Sequence, residues 1–164
     1  MTTNALPAVL EAYPCLGQWV TIAGDGRVHV RSGKVEFGQG IRTALAQMVA
    51  HELAVPVESV TVEAVTTADS PDEGVTSGSR SVEEANEGLR RAAASLRAAL
   101  LRRAADRFGF AEEALAVDAG CVTLPDGRRI PYPDLVDADL PGEQITGAAL
   151  LRPQVPGTPL GASQ

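Results

Sequence analysis

Two glycines that bracket one glutamine, Gly38-Gln39-Gly40, are the residues of this chain best suited to hold a ligand. Glycine has no Cβ atom, so the backbone here can approach a ligand closely. An apolar helical pattern begins directly afterwards, and the first N–H groups of a helix have no partners within that helix. Such a helix start favours an anionic or oxygen-rich ligand, and the glutamine adds a neutral amide that can donate a hydrogen bond.

A second polar segment could face the same ligand. Residues 66–81, with the sequence TTADSPDEGVTSGSRS, are nearly all small, polar or turn-forming. A loop of this length inside a compact domain is usually functional. Its hydroxyl groups and glycines could wrap a polar ligand, and a surface loop that binds nothing is the equally weighted alternative.

Alternating β-branched and polar residues predict a strand hairpin ahead of the glycine loop. Residues 18–23 and 27–31 alternate in this way and are separated by Gly24-Asp25-Gly26, a strong hairpin signal. Beyond the first helix, which should stop before Pro56, residues 57–65 alternate like a strand.

Two main helices are predicted from residues at helical spacing. The apolar positions of the first are Ile41, Leu45, Met48, Val49 and Leu53. Its other faces carry Arg42, Gln47, His51 and Glu52. The second helix begins at Ser79 or Ser81 and ends at Gly109. Its narrow stripe consists of Ala85, Leu89, Ala92, Leu96, Leu100, Ala104 and Phe108.

The fold class expected from these elements is α/β (α+β), a small mixed sheet with two main helices. Short strands are predicted at residues 115–117 and 121–124, and a short helix at 131–136. The chain divides into an N-terminal lead (1–16), a domain (17–140) and a Pro/Gly-rich tail or linker (141–164).

Composition excludes several classes of function. A net charge of −7 argues against a nucleic-acid partner, although basic residues cluster around Arg102, Arg103 and Arg107. Cys15 and Cys121 have no CxxC spacing, so we expect free thiols and neither a zinc site nor an iron–sulfur cluster. Neither a signal peptide nor a membrane span is visible in the sequence, which favours a cytoplasmic location.

Phosphate-binding loops fit the glycines poorly. A dinucleotide fingerprint needs a third glycine where Thr43 stands, and a Walker loop needs its lysine after the glycines, whereas Lys34 comes before them. A zinc-protease HExxH motif fails because position 55 is Val55.

Two segments together resemble a known family. GKVEFGQGIRTALAQ at 33–47 and SPDEGVTSGSRS at 70–81 look like the molybdopterin-binding large subunit of the xanthine dehydrogenase and aldehyde oxidase family, of the isoquinoline 1-oxidoreductase β-subunit type. Both motifs occur in the family's order and at about its spacing. The resemblance covers residues 6–136 and corresponds to an N-terminal part of such a subunit only.

The resemblance implies roles for individual residues. Gln39 matches the residue that hydrogen-bonds an oxo ligand of molybdenum, which makes it the catalytic candidate. Cofactor-binding positions would be Gly38, Gln39, Gly40, Thr76, Gly78, Ser79 and Ser81. No side chain is expected to ligate the metal, because the pterin dithiolene does so. The cofactor would be molybdenum-molybdopterin, with the cytosine dinucleotide form of the pterin left open.

The resemblance also implies partners. The family's glutamate base has no counterpart in this chain, so the site would be completed by the rest of the molybdopterin-binding subunit. Iron–sulfur clusters would lie only on a partner subunit, and the substrate would be a small N-heterocycle or aldehyde. The alternatives are a non-catalytic pterin-binding module, an inactive remnant, or a plain α/β domain without a ligand.

Overall fold

The computed structural model describes residues 6–32, 40–63 and 79–153, except for the side chains of residues 8 and 79–85. The helices in these ranges are α1 (Ala8–Ala12), α2 (Ile41–Leu53) and α3 (Ser79–Phe108). The strands are β1 (Val20–Ile22), β2 (Val28–Val30), β3 (Val60–Val62), β4 (Ala116–Asp118), β5 (Cys121–Thr123) and β6 (Arg129–Pro131). The predicted fold class, with a small mixed sheet and two main helices, is confirmed.

The first sheet has the order β1-β2-β3 and contains the predicted hairpin. β1 and β2 are antiparallel, with Val20 opposite Val30. The turn between them is closed by the Ala23 N–H, which donates to the Arg27 carbonyl at 2.8 Å. β2 and β3 are parallel, and α2 connects them. The sheet is therefore mixed.

α2 is held to the core by its apolar face. Ile41, Leu45, Val49 and Leu53 are each at most 5% exposed. The helix ends before Pro56, as predicted, at Ala54, which has a positive φ of 52°.

The strand predicted at residues 57–65 starts later in the structure. Val57–Ser59 forms a 3₁₀ turn, and β3 begins at Val60, while residues 64 and 65 lie outside the described residues. Both the N–H and the hydroxyl of Ser59 donate to the Pro56 carbonyl, at 3.0 and 2.6 Å. This local bonding favours a turn over a strand.

α3 packs its predicted stripe inward against α2. The buried positions of the stripe, each at most 2% exposed, are Leu89, Ala92, Leu96, Leu100 and Ala104. The small side chains let the two helices approach closely. Gly109, at φ +75°, follows the last helical residue as predicted. The chain therefore covers much of this alanine-rich face with its own elements.

The second sheet, β4-β5-β6, is antiparallel and packs against α3. Ala119-Gly120 connects its first two strands with positive φ at both residues, 47° and 75°, as a tight hairpin turn requires. The short helix predicted at residues 131–136 is a 3₁₀ helix, Tyr132–Leu135.

The two ends of the described chain meet. Leu10 and Leu16 are buried in the predicted lead, and the indole N–H of Trp19 donates to the Tyr13 carbonyl at 2.9 Å. In the predicted tail, Ile145 is 4% exposed, and its N–H donates to the Pro14 carbonyl at 2.7 Å. Composition did not indicate this packing. Both cysteines are free thiols, each partly exposed.

Candidate functional site

The predicted site residues fall only partly within the described chain. Gly38, Gln39, Thr76 and Gly78 lie outside the described residues. α3 begins at Ser79, the earlier of the two predicted starts, so Ser81 lies in its first turn, and the description excludes both serine side chains. Gly40 is the predicted site residue for which local geometry can be stated.

Gly40 is the residue that starts α2, in a left-handed conformation with φ +67°. A Cβ atom added here would meet no described atom within 4 Å, so backbone conformation and not crowding favours glycine. The Gly40 carbonyl accepts the first helical hydrogen bond, from Ala44 at 3.1 Å. The first turn of α2 contains no acidic residue. This helix start is compatible with an anionic group.

The β2–α2–β3 connection places this helix start after the carboxyl end of β2. The chain leaves the carboxyl end of β2, passes Gly40, and returns through α2 to the parallel strand β3. Ser32, 2% exposed, and Ile41, 5% exposed, are buried residues on either side of positions 33–40. Ligands of parallel sheets commonly bind beyond the carboxyl ends of the strands. The order of the elements therefore places Gly40 after the carboxyl end of β2, where a ligand could bind.

A buried charged cluster lies at the opposite end of α2. Glu52 is fully buried, and its two carboxylate oxygens accept from Arg90 Nε at 2.7 Å and Arg97 Nη1 at 2.8 Å. The prediction that Glu52 lies on a face away from the core was wrong. Burial of this carboxylate is possible because two guanidinium groups satisfy it. Arg90 and Arg97 are seven residues apart, two helical turns on one face of α3, which is the signal that could have indicated such a partner.

The last four carbonyl groups of α2, including its C-cap, each accept a hydrogen bond from elsewhere in the chain. The donors are Arg152 Nη1 to His51 (2.8 Å), Arg97 Nη1 to Glu52 (2.7 Å), the Tyr132 hydroxyl to Leu53 (2.6 Å) and the Gly120 N–H to Ala54 (3.0 Å). Two of these donors are cationic, which suits the negative end of a helix. α2 is therefore anchored at the end opposite Gly40.

Tyr132 is the neutral side chain among these donors. Burial raises the pKa of its hydroxyl well above the ordinary value, so the group stays protonated and can donate to Leu53.

The basic cluster near the end of α3 is paired in space. Arg103 Nη2 lies 2.9 Å from Asp137 Oδ1, and Arg102 and Arg103 both contact the Glu143 carboxylate. The hydrogen bond from Arg103 lowers the pKa of Asp137. Arg102 and Arg103 are thus paired with carboxylates, and Arg107 donates to the Asp134 carbonyl at 2.9 Å. Among the described residues there is no group of three His, Cys, Asp or Glu that could hold a metal ion.

The chain belongs to the molybdopterin cofactor-binding domain family, whose model matches residues 4–157. It is 36% identical over 121 residues to a subunit of nicotinate dehydrogenase from Pseudomonas putida, a match that covers 74% of this chain and 10% of that protein. It is 30% identical over 143 residues to the β-subunit of isoquinoline 1-oxidoreductase from Brevundimonas diminuta, covering 82% and 18%. The predicted family and subunit type are confirmed.

The fold is also similar to that of a solved structure. A carbon monoxide-reduced Cu,Mo-CO dehydrogenase matches with a TM-score of 0.63 and 27% identity, over 77% of this chain and 17% of that one. This chain therefore spans less than one fifth of each of these proteins. In the part of the chain that the structure describes, no helix has both the length and the apolar character needed to cross a membrane.

Proposed function

We propose that this chain supplies part of the cofactor site of a molybdenum hydroxylase, an oxidoreductase that inserts water-derived oxygen into its substrate. Its Gly38-Gln39-Gly40 loop would bind the molybdenum cofactor, and another polypeptide would complete the site. Membership of the molybdopterin cofactor-binding family carries this proposal. The left-handed conformation of Gly40 at the start of α2 supports it, because a positive φ at this residue favours glycine.

Each proposed residue has a defined task. Gln39 would donate from its amide to an oxygen of the bound cofactor, and a neutral donor does this without adding charge. Gly38 and Gly40 would let the backbone come close, while Thr76, Gly78, Ser79 and Ser81 would line the other side. When bound, the molybdenum cofactor supplies the two-electron oxidation itself.

The partners and the substrate belong to the proposal as well. We expect a second polypeptide with the remaining cofactor contacts and the glutamate base, and a subunit with iron–sulfur clusters, in the cytoplasm. The names of two relatives refer to N-heterocyclic substrates, so we place an N-heterocycle ahead of an aldehyde. A relative that acts on carbon monoxide shares this fold, so substrate choice is expected to depend on other parts of the enzyme.

Co-expression tests the proposal. The chain would be produced with the products of the adjacent reading frames, and the purified complex assayed for molybdenum by plasma mass spectrometry and for pterin by fluorescence after oxidation. We expect both in stoichiometric amounts. The proposal would be contradicted if the chain alone folds as a stable monomer and the co-expressed material contains neither molybdenum nor pterin.

A substitution separates Gln39 from the rest of the fold. Gln39→Ala should lower turnover by roughly 10²-fold, the order found when one preorganised donor is removed, with metal content and melting temperature retained. The matched control is Gln144→Ala, the same change at an exposed side chain. Equal turnover in the two variants would remove Gln39 from the catalytic site.

A non-catalytic pterin-binding module or an inactive remnant is the second candidate. The small share of each relative that this chain spans favours it, because a catalytic site needs residues from elsewhere. A module would carry pterin without turnover, and a remnant would carry neither pterin nor metal. The same metal and pterin measurements, combined with a turnover assay, therefore separate all three cases.

A further inference from the structure

Residues 144–153, here called the strap, cross the surface formed by α2 and α3. The strap begins with one apolar contact, the buried side chain of Ile145. From residue 146 onward its contacts change in kind, from apolar packing to hydrogen bonds with polar side chains of the two helices.

The strap is bound mainly through its main chain. Ser95 exchanges hydrogen bonds with both the N–H and the carbonyl of Thr146, at 3.1 and 3.2 Å. Arginine side chains donate to further strap carbonyls. These pairs are Arg91 with Gly147 (3.5 Å), Arg97 with Leu150, and Arg90 with Arg152 (2.5 Å). The Arg152 N–H in turn donates to Glu52 Oε2 at 3.1 Å.

Alternate side chains along this part of the strap are exposed to solvent, whereas the Arg152 side chain donates to the His51 carbonyl at 2.8 Å. Thr146, Ala148 and Leu150 are exposed, and Leu150 is 85% exposed even though its carbonyl is bound by Arg97. Their identity therefore contributes little to the contact, whereas the positions of the backbone groups contribute much.

The chemistry of the helices explains why a main chain binds here. A guanidinium group has five N–H donors, while the Glu52 carboxylate offers about four acceptor sites to Arg90 and Arg97 together. Donors are left over, and buried donors need acceptors. Carbonyl oxygens along the irregular strap provide them without adding a second buried charge.

We propose that Glu52, Arg90, Arg91, Ser95 and Arg97, here called the seat, form a binding site for the main chain of an irregular polypeptide segment, and that the strap is its releasable occupant. Glu52 is the positioning residue, because it orients two of the arginines and also accepts the Arg152 N–H. No strand of either three-stranded sheet lies in the strap, so its release breaks no hydrogen bond between those strands. The proposal does not depend on the cofactor.

Amide hydrogen exchange of the full chain, followed by NMR, tests the release. In the wild type, the amides of Thr146 and Arg152 should exchange faster than those of the central strands β2 and β5, through local opening. Glu52→Gln should accelerate the two strap amides a further tenfold or so, as expected when hydrogen bonds to a charged group are lost, with the central strands changed far less. The matched control is Glu87→Gln, which removes the ion pair between the half-exposed Glu87 and Arg91 at 3.5 Å.

Two results would overturn the releasable strap. One is acceleration of strap and sheet amides by the same factor in Glu52→Gln, because the strap would then open only with global unfolding. The other is equal strap protection in Glu52→Gln and Glu87→Gln.

A triple variant tests recognition of the main chain. Thr146→Ala, Ala148→Ser and Leu150→Ser combined should leave strap protection within about twofold of the wild type, because solvent-exposed side chains contribute little to stability. A loss of protection confined to the strap would show that the seat recognises side chains, and would overturn the proposed class of ligand.

Discussion

Arg97 contacts Glu52 twice, through the carboxylate and through the backbone. Its Nη1 lies 2.8 Å from Glu52 Oε2 and 2.7 Å from the Glu52 carbonyl oxygen, while its Nη2 donates to the Leu150 carbonyl. One guanidinium group thus joins the end of α2, the middle of α3 and the strap. A carboxylate near the negative end of a helix is unfavourable by itself, by about 0.3–1 kcal/mol. Two charge-assisted hydrogen bonds, worth about 1.5–3 kcal/mol each, outweigh this cost.

Truncation of Glu52 should be among the most destabilising changes in the chain. Glu52→Ala leaves Arg90 and Arg97, 19% and 11% exposed, without their carboxylate, and we expect a loss of about 3–5 kcal/mol in the free energy of unfolding. Urea denaturation measures it. Glu87→Ala, at a half-exposed ion pair, should cost about 1 kcal/mol or less. Similar losses in both variants would show that the buried cluster contributes no more than a surface pair.

Tyr132 should stabilise the other side of the same helix end. Tyr132→Phe removes the donor to the Leu53 carbonyl and leaves that oxygen buried without it, at a cost of about 1–3 kcal/mol. Tyr13→Phe is the matched control, because Tyr13 is half-buried and contacts Trp19 through its backbone carbonyl. Equal midpoints in urea for the two variants would contradict the assigned hydrogen bond.

The same tyrosine gives a pH dependence with a defined sign. Burial raises the pKa of Tyr132 above its ordinary value of 10.0, so the unfolded chain ionises first as the pH rises. The wild type should therefore lose stability above about pH 10, and Tyr132→Phe should lose less over the same range. Parallel curves of unfolding free energy against pH would exclude this contribution.

Local patterns predicted the elements that depend on local chemistry. The Gly24-Asp25-Gly26 turn, the apolar faces of α2 and α3, and the stop at Gly109 each follow from spacing or backbone preference within a few residues. Gly40 was predicted for the same reason, since a helix that follows a glycine turn has a recognisable start.

The contacts that fix α2 could not be predicted in the same way. Glu52 meets partners 38, 45 and 100 residues further along the chain, and no hydrophobic period encodes the pairing of charged side chains across such separations. Helical spacing alone does not distinguish a buried glutamate from an exposed one. The packing of the strap was not predicted because its main chain makes most of the contacts. Main-chain hydrogen bonds depend little on residue type, so composition does not reveal them.

Asp137 should stabilise the fold at neutral pH and lose this contribution in acid. The hydrogen bond from Arg103 lowers the pKa of this carboxyl below its ordinary value of 3.8. Because the folded-state pKa is depressed, the contribution is present above the unfolded value and is lost as the pH falls through the folded value. Asp137→Asn should therefore flatten the loss of stability below about pH 4. Asp139→Asn, two residues along the same segment, is the control, and equal acid curves would contradict the role of Arg103.

Gly40 and Gly109 form a matched pair that separates backbone strain from cofactor binding. Both have positive φ, +67° and +75°, at opposite ends of helices, and an added Cβ would meet no described atom within 4 Å at either position. Replacement by alanine forces an L-residue into the left-handed region, which costs about 1–2 kcal/mol. Thermal unfolding should show similar losses for Gly40→Ala and Gly109→Ala.

Only the Gly40 variant should also affect the cofactor. If Gly40 lets the backbone approach the bound group, Gly40→Ala should lower the molybdenum and pterin content of the co-expressed complex, while Gly109→Ala should leave it at the wild-type level. Comparison at equal thermal stability removes the effect of strain, because both variants carry it. Equal cofactor content in the two variants would show that Gly40 serves only the turn into α2, and the proposed cofactor contact at this end of the helix would have to be abandoned.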